Sequence, residues 1–413
     1  MRKILLLTIT LAIMASVFIL CGAASAETLS PWNVQFEVVY QGDVFRYNLQ
    51  DEIEKLPDRA SSRGFYLGYT GKKEIYDRLI AQELPELSVY EYLLPNFQNV
   101  LTHFGYVNRD KVDATVHFGK NGFSYSEGND GVAVDAQKLF ETALNSRGKL
   151  IRINLPLAID KAVTVSQLKK NTVRRASFTT TYANSNANRS FNIAKAADAI
   201  NGVTVNVGET FSFNQVVGER SEQRGYKTSK VILDGNYTEG VGGGVCQVST
   251  TLYNALLLAG FIPHAAQHSL ISTYVKPGFD AMVSYGAADL TFTNNTDHPI
   301  YIAATTANKS VTFTVYGEPN PYRIERVSVE ERDKFSTTYV VDSEKYPELV
   351  YADQTKVITS GSDGVKTQSY LKYFIGDRLV ETKLIRKNSY KRVDQVIAHG
   401  PLERPSSDTD SFN

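Results

Sequence analysis

Apolar and polar positions alternate along Val34, Phe36, Val38 and Tyr40, break at Gln41-Gly42-Asp43, and resume at Phe45, Tyr47 and Leu49. Period-two patterning on both sides of a turn predicts a β-hairpin. Helical spacing of Ile75, Leu79 and Ile80 predicts a helix over 72–83, and a second helix is expected over 90–104 with Pro95 near its start. Extended runs at 114–118, 122–126 and 151–155 read as strands. Between them, 135–146 reads as a helix capped by Asp135, with Leu139, Phe140, Ala143 and Leu144 facing inward. Residues 27–170 are therefore expected to form a small α+β region. The polar run Tyr182-Ala183-Asn184-Ser185-Asn186-Ala187-Asn188 lies at the next boundary region, and 175–317 has a pattern of its own. Glu318-Pro319-Asn320-Pro321 cannot continue a strand and predicts a linker. From 323 to 400 the chain reads as β segments punctuated by Gly361, Gly364, Gly376 and Gly400. The polar residues 401–413 are predicted to be disordered. The fold class is thus multidomain α+β, ending in an all-β domain.

The amino-terminal end changes this picture. Arg2 and Lys3 precede an apolar run from Ile4 to Leu20, and small residues follow up to Ala24-Ser25-Ala26. A basic start, a short apolar core and an A-x-A ending predict a cleavable secretory signal over 1–26. The alternative is an uncleaved anchor, which would be the chain's only membrane contact; a lipid on Cys21 is disfavoured by bulky Leu20 before it. Cleavage would leave 42 basic against 44 acidic residues, a net charge of about −2. That balance argues against a nucleic-acid partner and against a polybasic membrane patch. It would also leave Cys246 as the single cysteine, which cannot form an internal disulfide. The fold must then rest on its core, and an unpaired thiol in an exported chain calls for burial or for chemistry.

The chemistry concentrates in Gly242-Gly243-Gly244-Val245-Cys246-Gln247-Val248-Ser249-Thr250-Thr251-Leu252-Tyr253-Asn254-Ala255. Three glycines let the backbone turn tightly and approach a ligand closely. Val248, Leu252, Ala255, Leu256 and Ala259 recur at helical spacing, and Gly260 and Pro263 end the helix. Cys246 is therefore expected in the first turn of a buried helix, where free N–H groups and the helix dipole favour a thiolate. The same N–H groups suit an oxyanion formed by attack on a carbonyl. His264 and His268 follow Cys246 by 18 and 22 residues, and His268, leading into an expected strand over 270–275, is the preferred base. Asp280 and Asp289 are both available to orient it. The bland readings stand beside this one. Free cysteine is usually a packing residue. Zinc would find only Cys246, His264 and His268 without finger-like spacing, so no metal and no cofactor is expected.

The run from Gly242 to Ala255 resembles the signature of the VanW family. The likeness continues upstream through Asn188-Arg189-Ser190-Phe191-Asn192-Ile193, Gly208-Glu209-Thr210-Phe211-Ser212-Phe213-Asn214, Val217-Gly218-Glu219-Arg220 and Gly225-Tyr226. Downstream it includes His268-Ser269, Tyr274, Gly278-Phe279-Asp280-Ala281 and Asp289-Leu290-Thr291-Phe292-Thr293-Asn294. Residues 60–170 resemble the peptidoglycan-binding domain often found before VanW. Gly361-Ser362-Asp363-Gly364, Gly376-Asp377 and Val396-Ile397-Ala398-His399-Gly400 resemble the G5 domain, thought to bind N-acetylglucosamine-containing glycans. The resemblance implies a secreted, wall-associated protein that binds peptidoglycan or its precursors; the Cys246 and His268 reading keeps a Cys/His amide hydrolase or acyl transferase acting on wall peptides as the alternative. The expected catalytic set is Cys246, His268 and Asp280; the expected ligand contacts are Gly242, Gly243, Gly244, Gln247, Arg220 and Asn214, the guanidinium suiting a peptide carboxylate.

Overall fold

The computed structural model describes residues 35–48, 51, 99–144, 150–233 and 236–403. The expected leader, the helix over 72–83, most of the helix over 90–104 and most of the polar tail lie outside them. The chain divides into two compact units, Met1–Ala114 with Glu127–Thr164, and Thr115–Ser126 with Val165–Asn413.

In the first unit the hairpin forms as its alternation predicts. Gln35–Tyr40 and Asp43–Asn48 pair antiparallel, with Val38 opposite Phe45. Gln41 (φ 50°) and Gly42 (φ 92°) supply the two left-handed residues that match a two-residue turn to strand twist. Phe36 and Val38 point into the core. Ile151–Asn154 joins the other edge of Gln35–Tyr40 in parallel. The helix Ala136–Leu144 has its first turn closed by Asp135, whose Oδ1 accepts from Lys138 N at 3.0 Å, and it buries Leu139 and Ala143.

The second unit is built around one helix, Val245–Leu258. Its start is set by Gly244 at φ +107° and its end by Gly260 at φ +96°, followed by Pro263. Val248, Leu252, Ala255, Leu256 and Ala259, the apolar face read from the sequence, are all fully buried. Each large side chain among them removes enough apolar surface to be worth roughly 1.5–3 kcal/mol. On one side lies a four-stranded antiparallel sheet in the order Val173–Thr181, Ser310–Gly317, Ile300–Ala307, Val203–Val205. Burial alternates along Ser310–Gly317, so Val311, Phe313 and Val315 face one way into the core. The hairpin Thr115–Gly119/Gly122–Ser126 packs Phe118 and Phe123 edge-on against Tyr301, at ring-centre distances of 5.3 and 5.0 Å. The helix Ala187–Ile200, capped by Asn186 accepting from Arg189 N at 2.8 Å, covers the central helix from another side.

The carboxy-terminal segment forms two three-stranded sheets. One is Arg323–Asp333, Gly364–Ile375 and Arg378–Tyr390, antiparallel throughout; the other is Thr337–Val340, Gln395–His399 and Thr355–Thr359. The first of these sheets lies against the central helix: Arg326 donates to Asn254 Oδ1 and stacks over the rings of Phe178 and Phe279. The strand expected over 270–275 does not form. This stretch runs irregularly toward Pro277 and Gly278, and its flanks are held by side chains and by the carboxy-terminal sheet. Lys391 N donates to Ser269 O at 3.1 Å, and Asn254 Nδ2 donates to Phe279 O at 2.8 Å.

Candidate functional site

Cys246 is the second residue of the central helix and is partly exposed, whereas the residues from Gln247 to Leu257 are buried. Its thiol donates to Val283 O at 3.4 Å. His268 and Asp280, 5 % and 1 % exposed, lie on the irregular segment beside the helix, where the His268 side chain meets the sulfur and Asp280 stands behind His268. Asp280 Oδ2 accepts from the His268 backbone N–H at 2.6 Å and from its ring Nδ1 at 2.9 Å. One carboxylate oxygen therefore fixes both the backbone and the ring of His268. With Nδ1 committed to Asp280, Nε2 is the nitrogen available to the thiol.

Burial alone would raise the Cys246 thiol, but His268 beside it, with a smaller contribution from Arg220, draws its pKa below the ordinary value. Burial would likewise depress His268; hydrogen bonding to Asp280 and Cys246, and their negative charges, instead push it up to about 10. Burial opposes ionisation of Asp280 too, and is outweighed by His268, Arg386 and Tyr390, which hold the carboxyl below its ordinary range. These three shifts have one geometric cause, a thiol, an imidazole and a carboxylate placed in series, so they titrate as a coupled set. That arrangement can perform nucleophilic attack and proton return.

Asp289, the other carboxylate considered, lies elsewhere: it accepts from Ser212 Oγ at 2.5 Å and Asn214 N at 2.9 Å, closing the start of the short helix Phe213–Val217. His264 is exposed and belongs to the short strand His264–Ala265, paired with Leu290–Thr293. Among the described residues, no cluster of three or more acidic, histidine or cysteine side chains is arranged to hold a metal ion.

The expected ligand contacts divide. Arg220 sits beside the glycine loop, donates through one Nη to Asn214 Oδ1 (2.7 Å) and Gly218 O (2.9 Å), and feels the charge of Cys246. Burial lowers its pKa only from a very high starting value, so it remains a cation near the sulfur. Asn214 also donates to Ala288 O at 2.9 Å and so acts as the holder of Arg220. Gln247 needs correction as a ligand contact. It is 1 % exposed on a buried side of the helix, where Oε1 accepts from Arg189 at 2.9 Å and Nε2 donates to Thr180 Oγ1 at 3.0 Å and Thr181 O at 2.9 Å.

The glycines serve the protein's own packing in the first instance. A Cβ on Gly243 would stand 2.6 Å from Lys230 O, and one on Gly244 would stand 2.9 Å from Ile193 Cγ1 at a backbone φ that side chains rarely adopt. Gly244→Ala is expected to destabilise the fold by about 1–3 kcal/mol, visible as a lower midpoint in chemical denaturation. Three site neighbours were not assigned roles from the sequence. Tyr274, held close to Cys246 and Thr250, is kept protonated by its burial. Tyr390 and Arg386 come from the carboxy-terminal sheet to Asp280.

Residues 188–316 match the family described as VanW like protein, and residues 324–401 match the G5 domain. The Bacillus subtilis (strain 168) protein YoaR is 44 % identical over 147 residues, covering 35 % of this chain and 48 % of that protein. The vancomycin B-type resistance protein VanW of Enterococcus faecalis (strain ATCC 700802 / V583) is 28 % identical over 147 residues, 34 % of this chain and 54 % of that protein. The chain thus spans about half the length of the curated relatives it matches. Two solved structures align with 20 % of the chain each: HP0197-G5 at 15 % identity, covering all of that chain with a TM-score of 0.13, and the IgA1 protease G5 domain at 12 % identity, covering 92 % of that chain with a TM-score of 0.15. Among the described residues, no helix is long and apolar enough to cross a membrane.

Proposed function

Because the chain carries a VanW domain followed by a G5 domain, we propose that it is a cell-wall-associated protein whose VanW domain performs cysteine acyl chemistry on an amide of a wall peptide. The observation that carries this reading is the placement of His268, its Nδ1 2.9 Å from Asp280 and its ring beside the partly exposed Cys246. A packing cysteine has no use for a buried, carboxylate-backed base.

In this reading the Cys246 thiolate attacks the amide carbonyl carbon. The C–S bond forms, the oxyanion is met by the Cys246 backbone N–H at the start of the central helix, and the C–N bond then breaks as the His268 imidazolium gives its proton to the departing amine. The thioester left on Cys246 is resolved by water, giving hydrolysis, or by a second amine, giving transfer. In either case His268 takes the incoming proton and the thiolate is regenerated. Arg220 is the natural holder of a carboxylate on the peptide, and the G5 domain is the candidate contact for N-acetylglucosamine-containing glycan strands.

The test is intact-protein mass spectrometry after rapid mixing with soluble peptidoglycan fragments. The expected result is a mass increase equal to an acyl fragment, located on Cys246 and lost in Cys246→Ala. Retention of the protein on sacculi without any adduct or turnover would leave a binding module and reject the acyl chemistry.

A further inference from the structure

We infer that the site is completed by the carboxy-terminal domain, and that Tyr390 and Arg386 are positioning residues that aim the Asp280 carboxylate at His268. This rests on the acyl-chemistry reading above and extends it to residues outside the span that matches VanW.

The two oxygens of Asp280 are divided between the two domains. Oδ2 takes both donors of His268, at 2.6 and 2.9 Å. Oδ1 takes the Tyr390 hydroxyl and Arg386 Nη2, the latter at 3.3 Å. Tyr390, 3 % exposed, accepts in turn from Gly278 N at 2.7 Å, which fixes its hydroxyl hydrogen toward the carboxylate. Arg386 is held in place by Nε donating to Asn388 Oδ1 at 2.9 Å and by its stacking over Tyr253 of the central helix.

The same sheet secures both ends of the segment carrying His268 and Asp280. Asn388 Nδ2 donates to Gln267 Oε1 at 2.7 Å, immediately before His268. Ser369 Oγ donates to Gly278 O at 3.1 Å, two residues before Asp280. At Gly278 the approach is so close that a Cβ would lie 2.0 Å from Ser369 Oγ. The segment forms no regular strand over 268–280, so these contacts stand in for a sheet ladder. A carboxylate whose Oδ1 lost both donors in this buried setting would rotate or take up a proton, and His268 would lose its anionic partner.

The experiment is the pH dependence of Cys246 alkylation by iodoacetamide, followed by intact mass on the full chain, with folding checked by circular dichroism melts. The proteins compared are the unaltered chain, Tyr390→Phe, Arg386→Met, the double variant, the charge-preserving Arg386→Lys, and Leu384→Ala as an exposed control on the same strand. The unaltered chain is expected to alkylate with a midpoint well below the free-cysteine value of about 8.5, and the double variant to move up toward it. Each single variant should move part of the way, while Arg386→Lys and Leu384→Ala keep the original midpoint. A folded double variant with an unchanged midpoint would overturn the inference while leaving the acyl chemistry standing. A midpoint near about 8.5 already in the unaltered chain would instead reject the underlying reading, and this inference with it. If the double variant melts below the assay temperature, Tyr390→Phe decides alone, an unchanged midpoint overturning the inference.

Discussion

Asp280→Ala is expected to lower the stability of the second unit by about 3–5 kcal/mol, the usual cost of breaking a buried charge pair from one side. The carboxylate takes two donors from His268, one from Arg386 and one from Tyr390. Its removal leaves all four without their acceptor in a region where water does not replace it. The pH dependence follows from the direction of the shift. The Asp280 carboxyl is lowered in the folded chain from its ordinary value of 3.8. Its contribution is therefore fully present above that ordinary value and fades as pH falls through the lower folded one. Denaturant titrations at several pH values should show the gap between the two proteins at neutrality, narrowing in strong acid and again as pH rises through about 10, where His268 loses its proton. A gap below about 1 kcal/mol at neutral pH would place Asp280 among ordinary surface-like contacts.

Asp280→Asn separates chemistry from stability. The amide keeps the shape of the carboxylate and can still accept through one oxygen, so its stability cost should be smaller than that of Asp280→Ala. Its Nδ2 donors, however, cannot accept from His268. Where that end faces the ring, Nδ1 must become the acceptor and the proton moves to Nε2, the nitrogen that serves the thiol. A ring already protonated at Nε2 has no lone pair there to take the thiol's proton. We expect amide turnover, measured as release of new amine from a peptidoglycan fragment, to fall by about 10³–10⁴-fold, with the protein still folded. Asp289→Asn should leave turnover within a few-fold, since Asp289 is engaged with Ser212 and Asn214 instead.

Local features of this site were legible in the sequence, and those brought together over long distances were not. The Gly242–Gly244 turn, the helical spacing from Val248 to Ala259 and the Gly260 and Pro263 stop are all local, so they placed Cys246 on the first turn of a buried helix. His268 was reachable for the same reason, since the chain returns along the helix within a short stretch. Asp280 and Asp289 could not be told apart, because the choice depends on which of two irregular loops faces the imidazole. Tyr390 and Arg386 lie 110 and 106 residues from Asp280 in sequence, and nothing in a β-strand's alternation says which distant loop its inward side chains will meet. Gln247 shows the opposite error. It adjoins Cys246, but one step along a helix turns a side chain by about 100°, enough to carry it from the site to the core. The missing strand over 270–275 has a similar cause: its β-branched and aromatic residues suit a strand, yet this segment satisfies its flanks through side chains and a neighbouring sheet.

The central claim, that His268 and Asp280 make Cys246 a nucleophile, is tested most directly by the rate of Cys246 alkylation as a function of pH in the unaltered chain and in His268→Ala. His268 lowers the thiol and is itself raised to about 10 by its partners, so the sulfur should give up its proton more readily than a free cysteine. The account therefore predicts appreciable alkylation well below about 8.5 in the unaltered chain, and a midpoint that rises toward that value in His268→Ala. Alkylation that begins only near about 8.5 in both proteins would contradict it.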